Sequence, residues 1–315
     1  MKIFGAEQTA PLAGERPAVT LGAFDGVHKG HRAIIDVLLA YARKISAPAL
    51  AITFEQHPRA ALGRSAPPAI CGLEARLRRL EEAGLDAAWV MPFTPAFSRL
   101  PARGFAKEFF RRRLAARAVA LGETAVFGHG REGSAKTLAA WAADCDMEVI
   151  PVPPLPIHGA IASSTAIRLA VGAGNLALAA EFLGRPFSVE GTVVAGQGRG
   201  AKLGFPTLNL DPHHELRPPP GVYLTLAEIN GESLPSLTNV GRPPTEMEIE
   251  AGVSDLLIET HLLDYQGDLY GRTAEIMFLR KMREVIRFSR ESGLICRVRE
   301  DLNEARKWFA SRPEA

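Results

Sequence analysis

Along the first half of the chain, apolar positions alternate between the period of a buried strand and that of an amphipathic helix. Ala18, Val19, Thr20 and Leu21 read as a short strand, and Ile34, Ile35, Leu38, Leu39 and Ala42 follow at helical spacing. Residues 49–54 form a second strand, ended by Glu55-Gln56-His57-Pro58. Residues 69–84 predict a helix with Leu73, Leu77 and Leu80 on one face, residues 87–91 a strand stopped by Pro92, and Phe105 and Phe109 another helix. A strand at 118–121, a helix from Ser134 to about Cys145, and a strand at 148–152 complete the alternation. This pattern predicts an α/β fold with a doubly wound parallel sheet. Residues 151–156 (Pro-Val-Pro-Pro-Leu-Pro) follow the last strand directly and read as a stiff loop closing the crevice. Residues 175–183 add a helix that Gly184-Arg185-Pro186 breaks, so the domain boundary is expected there, giving 1–184 and 185–315.

Beyond it the period changes to short alternating strands separated by turn residues, the pattern of an antiparallel β-barrel or sandwich. Strands are expected at 187–194, 221–229, 238–241, 256–263 and 274–279, with Asn230-Gly231 as a hairpin turn. Residues 290–310 are helical in pattern, with Leu294, Ile295, Val298, Leu302 and Trp308 as the buried face.

The 315 residues suffice for two domains, each with its own core. With 47% hydrophobic and 23% charged residues and a net charge of +2, nothing calls for a nucleic-acid partner. Arg111, Arg112 and Arg113, with no aromatic platform interleaved, read as a solvated helix face. Three scattered cysteines suggest neither a disulfide framework nor a zinc site. The N-terminus lacks a signal-peptide core and no apolar run approaches ~20 residues. A cytoplasmic protein without a membrane segment is expected.

The stretch from Thr20 to His31 joins strand to helix through Gly22, Phe24, Asp25, Gly26, His28 and Gly30. In an open α/β sheet, such a turn lets a phosphate approach backbone N–H groups at a helix N-terminus. His28 and His31, three apart, could both hydrogen-bond one triphosphate. Taken singly, two histidines read more simply as one structural and one surface residue, but the glycine context reverses that preference. In Ser163-Ser164-Thr165-Ala-Ile-Arg168, either serine can cap a helix, with Arg168 one turn beyond Ser164, so that hydroxyl, helix terminus and guanidinium converge on an anion. An ordinary cap with a surface arginine is the equal alternative.

In the second half, Gly196, Gly198, Arg199, Gly200, Lys202, Gly204 and Pro206 form a loop suited to cradling phosphates, though not a Walker sequence. Thr207 and Asn209 alternate along an extended segment and could hold Mg2+ with ATP oxygens. Glu259 lies in an apolar strand, where an outward carboxylate is the rule; facing inward, it would be a candidate general base. Asp211, His213, His214 and Glu215 lack metal-ligand spacing and read as a solvated loop.

Together these motifs resemble the bifunctional bacterial riboflavin kinase/FAD synthetase family over nearly the whole chain. The first half is similar at Thr20 to His31, Thr53 to Pro58 and Ser163 to Arg168. The second is similar at Gly198 to Asn209, Pro220 to Tyr223 and Glu259 to Gly271. The resemblance implies a Rossmann-like nucleotidyltransferase domain and a kinase barrel with a terminal helix. It implies that riboflavin is phosphorylated by Mg-ATP to FMN, with Glu259 as base and Thr207 and Asn209 at the metal. FMN is then adenylylated by a second ATP to FAD, with His28 and His31 stabilising the transferred group and Ser164 and Arg168 gripping the triphosphate. His57, Pro58, Thr124, Phe127 and Asn239 are the implied flavin contacts.

Two departures stand out. The family pattern Gly-x-Asp/Asn-Phe-x-Phe-Gly appears as Gly122-Glu-Thr124-Ala125-Val-Phe127-Gly128, lacking the acid or amide and the first aromatic. A kinase-side arginine is displaced by one position, in Asn239-Val-Gly241-Arg242-Pro243-Pro244-Thr245. The first raises the alternative of a riboflavin kinase with impaired adenylylation. A flavin- or nucleotide-binding regulator without turnover is the rival of another class.

Overall fold

A computed structural model describes residues 1–8, 12, 14–196, 198–241 and 256–312. The displaced Arg242 and the loop to Thr245 lie outside the described residues. The chain divides into two compact units, Met1–Ala166 and Ile167–Ala315.

The first unit is built on a six-stranded parallel sheet: β1 (Lys2–Phe4), β2 (Ala18–Leu21), β3 (Ala49–Phe54), β4 (Ala87–Met91), β5 (Ala118–Gly122) and β6 (Glu148–Val152), in the order β1-β4-β3-β2-β5-β6. The order reverses between β2 and β5. Ligands of such sheets bind outside the carboxyl ends of the strands at that reversal, where the turn after β2 lies. The four central strands, β2 to β5, are buried on both faces. Leu50, Ile52, Trp89, Val119 and Leu121 face one core with Phe105, Phe109 and Phe110. Ala49, Ala51 and Ala18 leave room on the other for Ile35, Leu38 and Leu39 of the helix Lys29–Lys44.

Several expectations need correction. β1, too short to show a period, pairs in parallel with β4 at the sheet edge. The helix expected from residue 69 begins at Leu73 after Gly72 and ends at Glu82; its buried residues are Ala75, Arg76, Arg79 and Leu80. The helix Ala102–Phe105 continues as a π-helix, Ala106–Arg113, whose wider turn buries the adjacent Phe109 and Phe110 together. The helix after Ser134 breaks at Ala140, and a 3-10 turn follows at Ala143–Cys145. The proline-rich segment is no simple loop: Pro151 and Val152 finish β6, and β7 (Pro156–Ile157) pairs with β8 (Ala160–Ile161) as a hairpin.

The units divide before the expected boundary. The helix Ser164–Gly172 crosses the division, and the helix Leu176–Leu183 belongs to the second unit, where it packs on β9 and β14 through a buried face that includes Leu176, Ala179 and Phe182. The second unit is a closed antiparallel barrel: β9 (Phe187–Val194), β10 (Leu208–Pro212), β11 (Gly221–Ile229), β12 (Glu232–Gly241), β13 (Leu257–Leu262) and β14 (Thr273–Arg283), in the order β10-β13-β12-β11-β14-β9. Asn230 and Gly231 both adopt positive φ, as a two-residue hairpin between right-twisted strands requires. Buried between strands β11, β12 and β13, the hydroxyls of Ser236, Thr225, Thr238 and Thr260 are linked in series at 2.7–2.8 Å. The terminal helix Glu291–Ala310 packs Leu302 and Ala305 against Val222, Leu224 and Leu237. Asp301, wholly buried on that helix, receives a bidentate pair from Arg283. Among the described residues, no helix is long and apolar enough to cross a membrane.

Candidate functional site

In the first unit, the turn after β2 is strained and closely held. Phe24 and Val27 adopt φ of +50° and +40°, and Gly26 lies at +83° with no space for a Cβ beside Ile70. Non-glycine residues persist in such conformations only when their surroundings over-determine them. The surroundings here do so. The buried Asp25 carboxylate accepts N–H bonds from Ile70 (2.9 Å) and Cys71 (3.3 Å), and the Gly26 N–H donates to Cys71 Sγ. Ser164 Oγ donates to the Asp25 carbonyl at 2.9 Å, tying the start of the next helix to the turn.

His28 caps the helix Lys29–Lys44, its Nδ1 accepting the His31 N–H at 3.3 Å. An accepting Nδ1 leaves the ring proton of a neutral His28 on Nε2. The two imidazoles stack at 3.6 Å with an interplanar angle of 19°, so the expected pairing of His28 and His31 is present. Burial, the neighbouring His28 and the Arg76 charge, in that order, hold the His31 pKa well below 6.5, and its buried Nδ1 has no partner among the described residues. His31 is therefore a neutral ring stacked on its neighbour. Gly22 begins the turn with an N–H bond to Ile52, and Gly30 lies in the first helical turn against the Ala162 carbonyl.

The other expected residues are placed as follows. Ser163, not Ser164, caps its helix by accepting the Ala166 N–H, and Thr165 is exposed. Arg168 falls in the second unit, one turn further along the helix. His57 caps the short helix that starts at Pro58, accepting from Arg59 N. Thr124 is exposed just beyond β5, whereas the Phe127 ring packs in the aromatic core against Phe105 and Phe110.

Arg76 is a crevice residue that the sequence reading missed. A signal was present: residues 73, 76, 77 and 80 share one helical face. Its guanidinium reaches the backbone at the ends of β2 and β3.

In the second unit, strand register assembles the site. Asn209, Glu259 and Asn239 lie side by side across β10, β13 and β12, and Asn239 Nδ2 donates to Glu259 Oε2 at 3.3 Å. Glu259 shares its strand face with His261, whose register partner is Leu237, a residue packed beneath the terminal helix. Glu259 therefore faces outward, as is usual for a carboxylate in an apolar strand, on the outer wall of the barrel and not inward. Gly198 at φ +65° opens the short helix Arg199–Lys202, followed by Gly204 at φ +87°. A Cβ on Gly196 would collide with Asn209 Nδ2, and one on Gly200 would meet Thr207 Oγ1 at 3.2 Å, so loop backbone lies against both predicted metal residues. His261 Nδ1 donates to the Pro206 carbonyl at 2.7 Å and fixes the end of the loop beside Thr207. Next to it an open cleft of about 350 Å³ is lined by Arg199, Lys202, Arg290 and Glu291 together with Leu203, Phe288 and Leu294.

The segment 211–215 is not simply solvated. His214 is 5% exposed, and His213 bonds Thr192 and lies 3.8 Å from Glu190. Among the described residues no group of three or more His, Cys, Asp or Glu has a metal-binding arrangement.

Residues 11–166 match the FAD synthetase family and residues 183–309 the riboflavin kinase family. The chain is 33% identical over 309 residues to the bifunctional riboflavin kinase/FMN adenylyltransferase of Escherichia coli K12, covering 98% of this chain and 97% of that protein. It is 30% identical to the protein of the same name from Bacillus subtilis, covering 94% and 93%. A Streptococcus pneumoniae crystal structure named as a macrolide-efflux protein superposes with a TM-score of 0.85 at 28% identity, covering 98% of this chain and all of that one. With matches to both families in order and nearly full-length relatives at 30% identity or more, the chain belongs to the bifunctional riboflavin kinase/FMN adenylyltransferase family.

Proposed function

We propose that this protein makes FMN and then FAD, in two ATP-dependent reactions carried out by separate units. The observation that carries the reading is the presence of two side-chain constellations, a stacked histidine pair at the sheet reversal and an Asn-Glu-Asn row on the barrel wall.

In the second unit, the Glu259 carboxylate takes the proton of the riboflavin ribityl hydroxyl as its oxygen attacks the γ-phosphorus of ATP, and ADP leaves. Asn239 orients the carboxylate. Thr207 Oγ1 and Asn209 Oδ1 are hard oxygen donors fitted to a Mg2+ that travels with ATP, and the loop backed onto them supports that use. When bound, the ion neutralises charge on the phosphates. The cationic and apolar cleft beside the loop suits a phosphate-bearing aromatic ligand.

In the first unit, an FMN phosphate oxygen attacks the α-phosphorus of a second ATP and pyrophosphate leaves. The turn of residues 22–31 at the N-terminus of the helix Lys29–Lys44 receives the phosphates, and the imidazoles of His28 and His31 donate to the oxygens where charge develops. Use of cellular ATP and free flavins puts the protein in the cytoplasm.

The test is to incubate purified protein with riboflavin and Mg-ATP and separate the flavins over time. FMN followed by FAD is expected. FMN alone, also from supplied FMN, would favour the reading that exposed Thr124 and the missing aromatic at Ala125 have impaired adenylylation. Neither product from folded protein would leave a binding protein.

A further inference from the structure

We propose that Arg76 is a positioning residue for adenylyl transfer, its buried guanidinium holding the strained nucleotide turn in register with the end of β3. The inference rests on the reading of the first unit as the adenylyltransferase.

Arg76 lies in the first turn of the helix Leu73–Glu82 and is 7% exposed. Its Nη1 donates to the Ala23 carbonyl (2.8 Å), the Phe54 carbonyl (2.9 Å) and Thr53 Oγ1 (3.2 Å), and Nη2 donates to the Glu55 carbonyl (3.3 Å). Thr53 Oγ1 also donates to Ala23 O at 3.3 Å. One planar fork thus joins two segments. Ala23 precedes the positive-φ Phe24 and, four residues later, His28; Phe54 and Glu55 lead into His57 and Pro58. A helix usually turns arginines to solvent, and burying one costs free energy unless its donors are met. Here Nη1 and Nη2 meet neutral backbone and hydroxyl oxygens, which fixes carbonyl positions, while the buried Nε has no partner among the described residues.

The mechanical consequence follows from the strain. Asp25 and Ser164 hold the turn from one side through Ile70, Cys71 and the Asp25 carbonyl. Arg76 and Thr53 hold its other end. Without the fork, Phe24 can relax toward ordinary φ, and the N–H groups and His28 move with it. Displacements near 1 Å in a positioned site cost up to about 10²-fold in rate. Lysine is no substitute, since a tetrahedral ammonium cannot reproduce a planar set of bonds to both segments.

The test compares Arg76→Gln, Arg76→Lys and the milder Thr53→Val with the wild type, at temperatures where circular dichroism shows each folded. Adenylyl transfer from supplied FMN and phosphorylation of riboflavin are followed in the same preparations. Expected for Arg76→Gln is at least an about tenfold lower kcat for FAD formation, with KM for FMN changed by less than about threefold. FMN formation should stay within about twofold of wild type. Arg76→Lys should recover only part of the loss, and Thr53→Val should lose less in the same direction. If Arg76→Gln does not fold, Thr53→Val decides. Unchanged FAD kcat in folded variants, or equal losses of FMN and FAD formation, would overturn the role while leaving the functional reading intact. Wild-type protein that makes no FAD would overturn that reading and this role with it.

Discussion

Glu259 stands in a strand where a carboxylate among apolar residues would ordinarily be a solvated side chain. The register supplies its partners, Asn209 on one neighbouring strand and Asn239 on the other. Glu259→Gln keeps the shape and removes the proposed base. FMN formation should fall by at least about 10²-fold, with adenylylation of supplied FMN unchanged, when each product is assayed separately. His31 allows a different test. Because burial depresses its folded pKa, the unfolded chain takes up a proton near pH 6.5 that the folded unit refuses until lower pH. Its contribution to stability is therefore constant above about pH 6.5, and stability is lost as pH falls from there toward the folded pKa. His31→Asn should flatten that part of the decline, measured by urea unfolding between about pH 6.5 and 5. The motif residues were legible one by one. Arg76 showed only its place on the apolar helix face, because burial of an arginine depends on acceptors that belong to other segments.

Among elements, strands and helices with a clear period were found close to their true places, including β2, β3, β4 and the helices Lys29–Lys44 and Glu291–Ala310. Failures have local causes. Gly72 delays one helix, a π-helix widens another, and β1 is stable only because β4 offers it an edge. The barrel strands β12 and β14 run longer than their apolar periods because pairing on both sides continues the ladder. The hydroxyls buried between β11, β12 and β13 show how register creates a network from scattered threonines and a serine. Thr225 is its central member, bonded to both Ser236 and Thr238. Thr225→Val preserves volume but leaves buried hydroxyls short of a partner, and should lower stability by about 1–3 kcal/mol, read from the urea midpoint at constant m.

At the scale of the molecule, the two constellations belong to different units, so their chemistry is separable. A mixture of Glu259→Gln and His31→Ala proteins should convert riboflavin to FAD, although neither variant does so alone. Chromatography of the mixture against each variant checks this, and failure of the mixture with both single reactions intact would mean that FMN is not released. The sequence by itself determined the parallel sheet, the antiparallel second half and the terminal helix. Apolar periodicity and turn chemistry act between residues a few positions apart, so they can be read from the chain. Only the tertiary structure decided that the helix pair 164–183 straddles the unit division and that Glu259 lies on the outer barrel wall. It also decided that Ser164 and Asp25 hold the turn and that Phe127 is spent on the core. Each of these depends on register or packing between distant segments: burial, hydrogen-bond satisfaction and the strain at Phe24 and Val27 are set by neighbours that local sequence does not name.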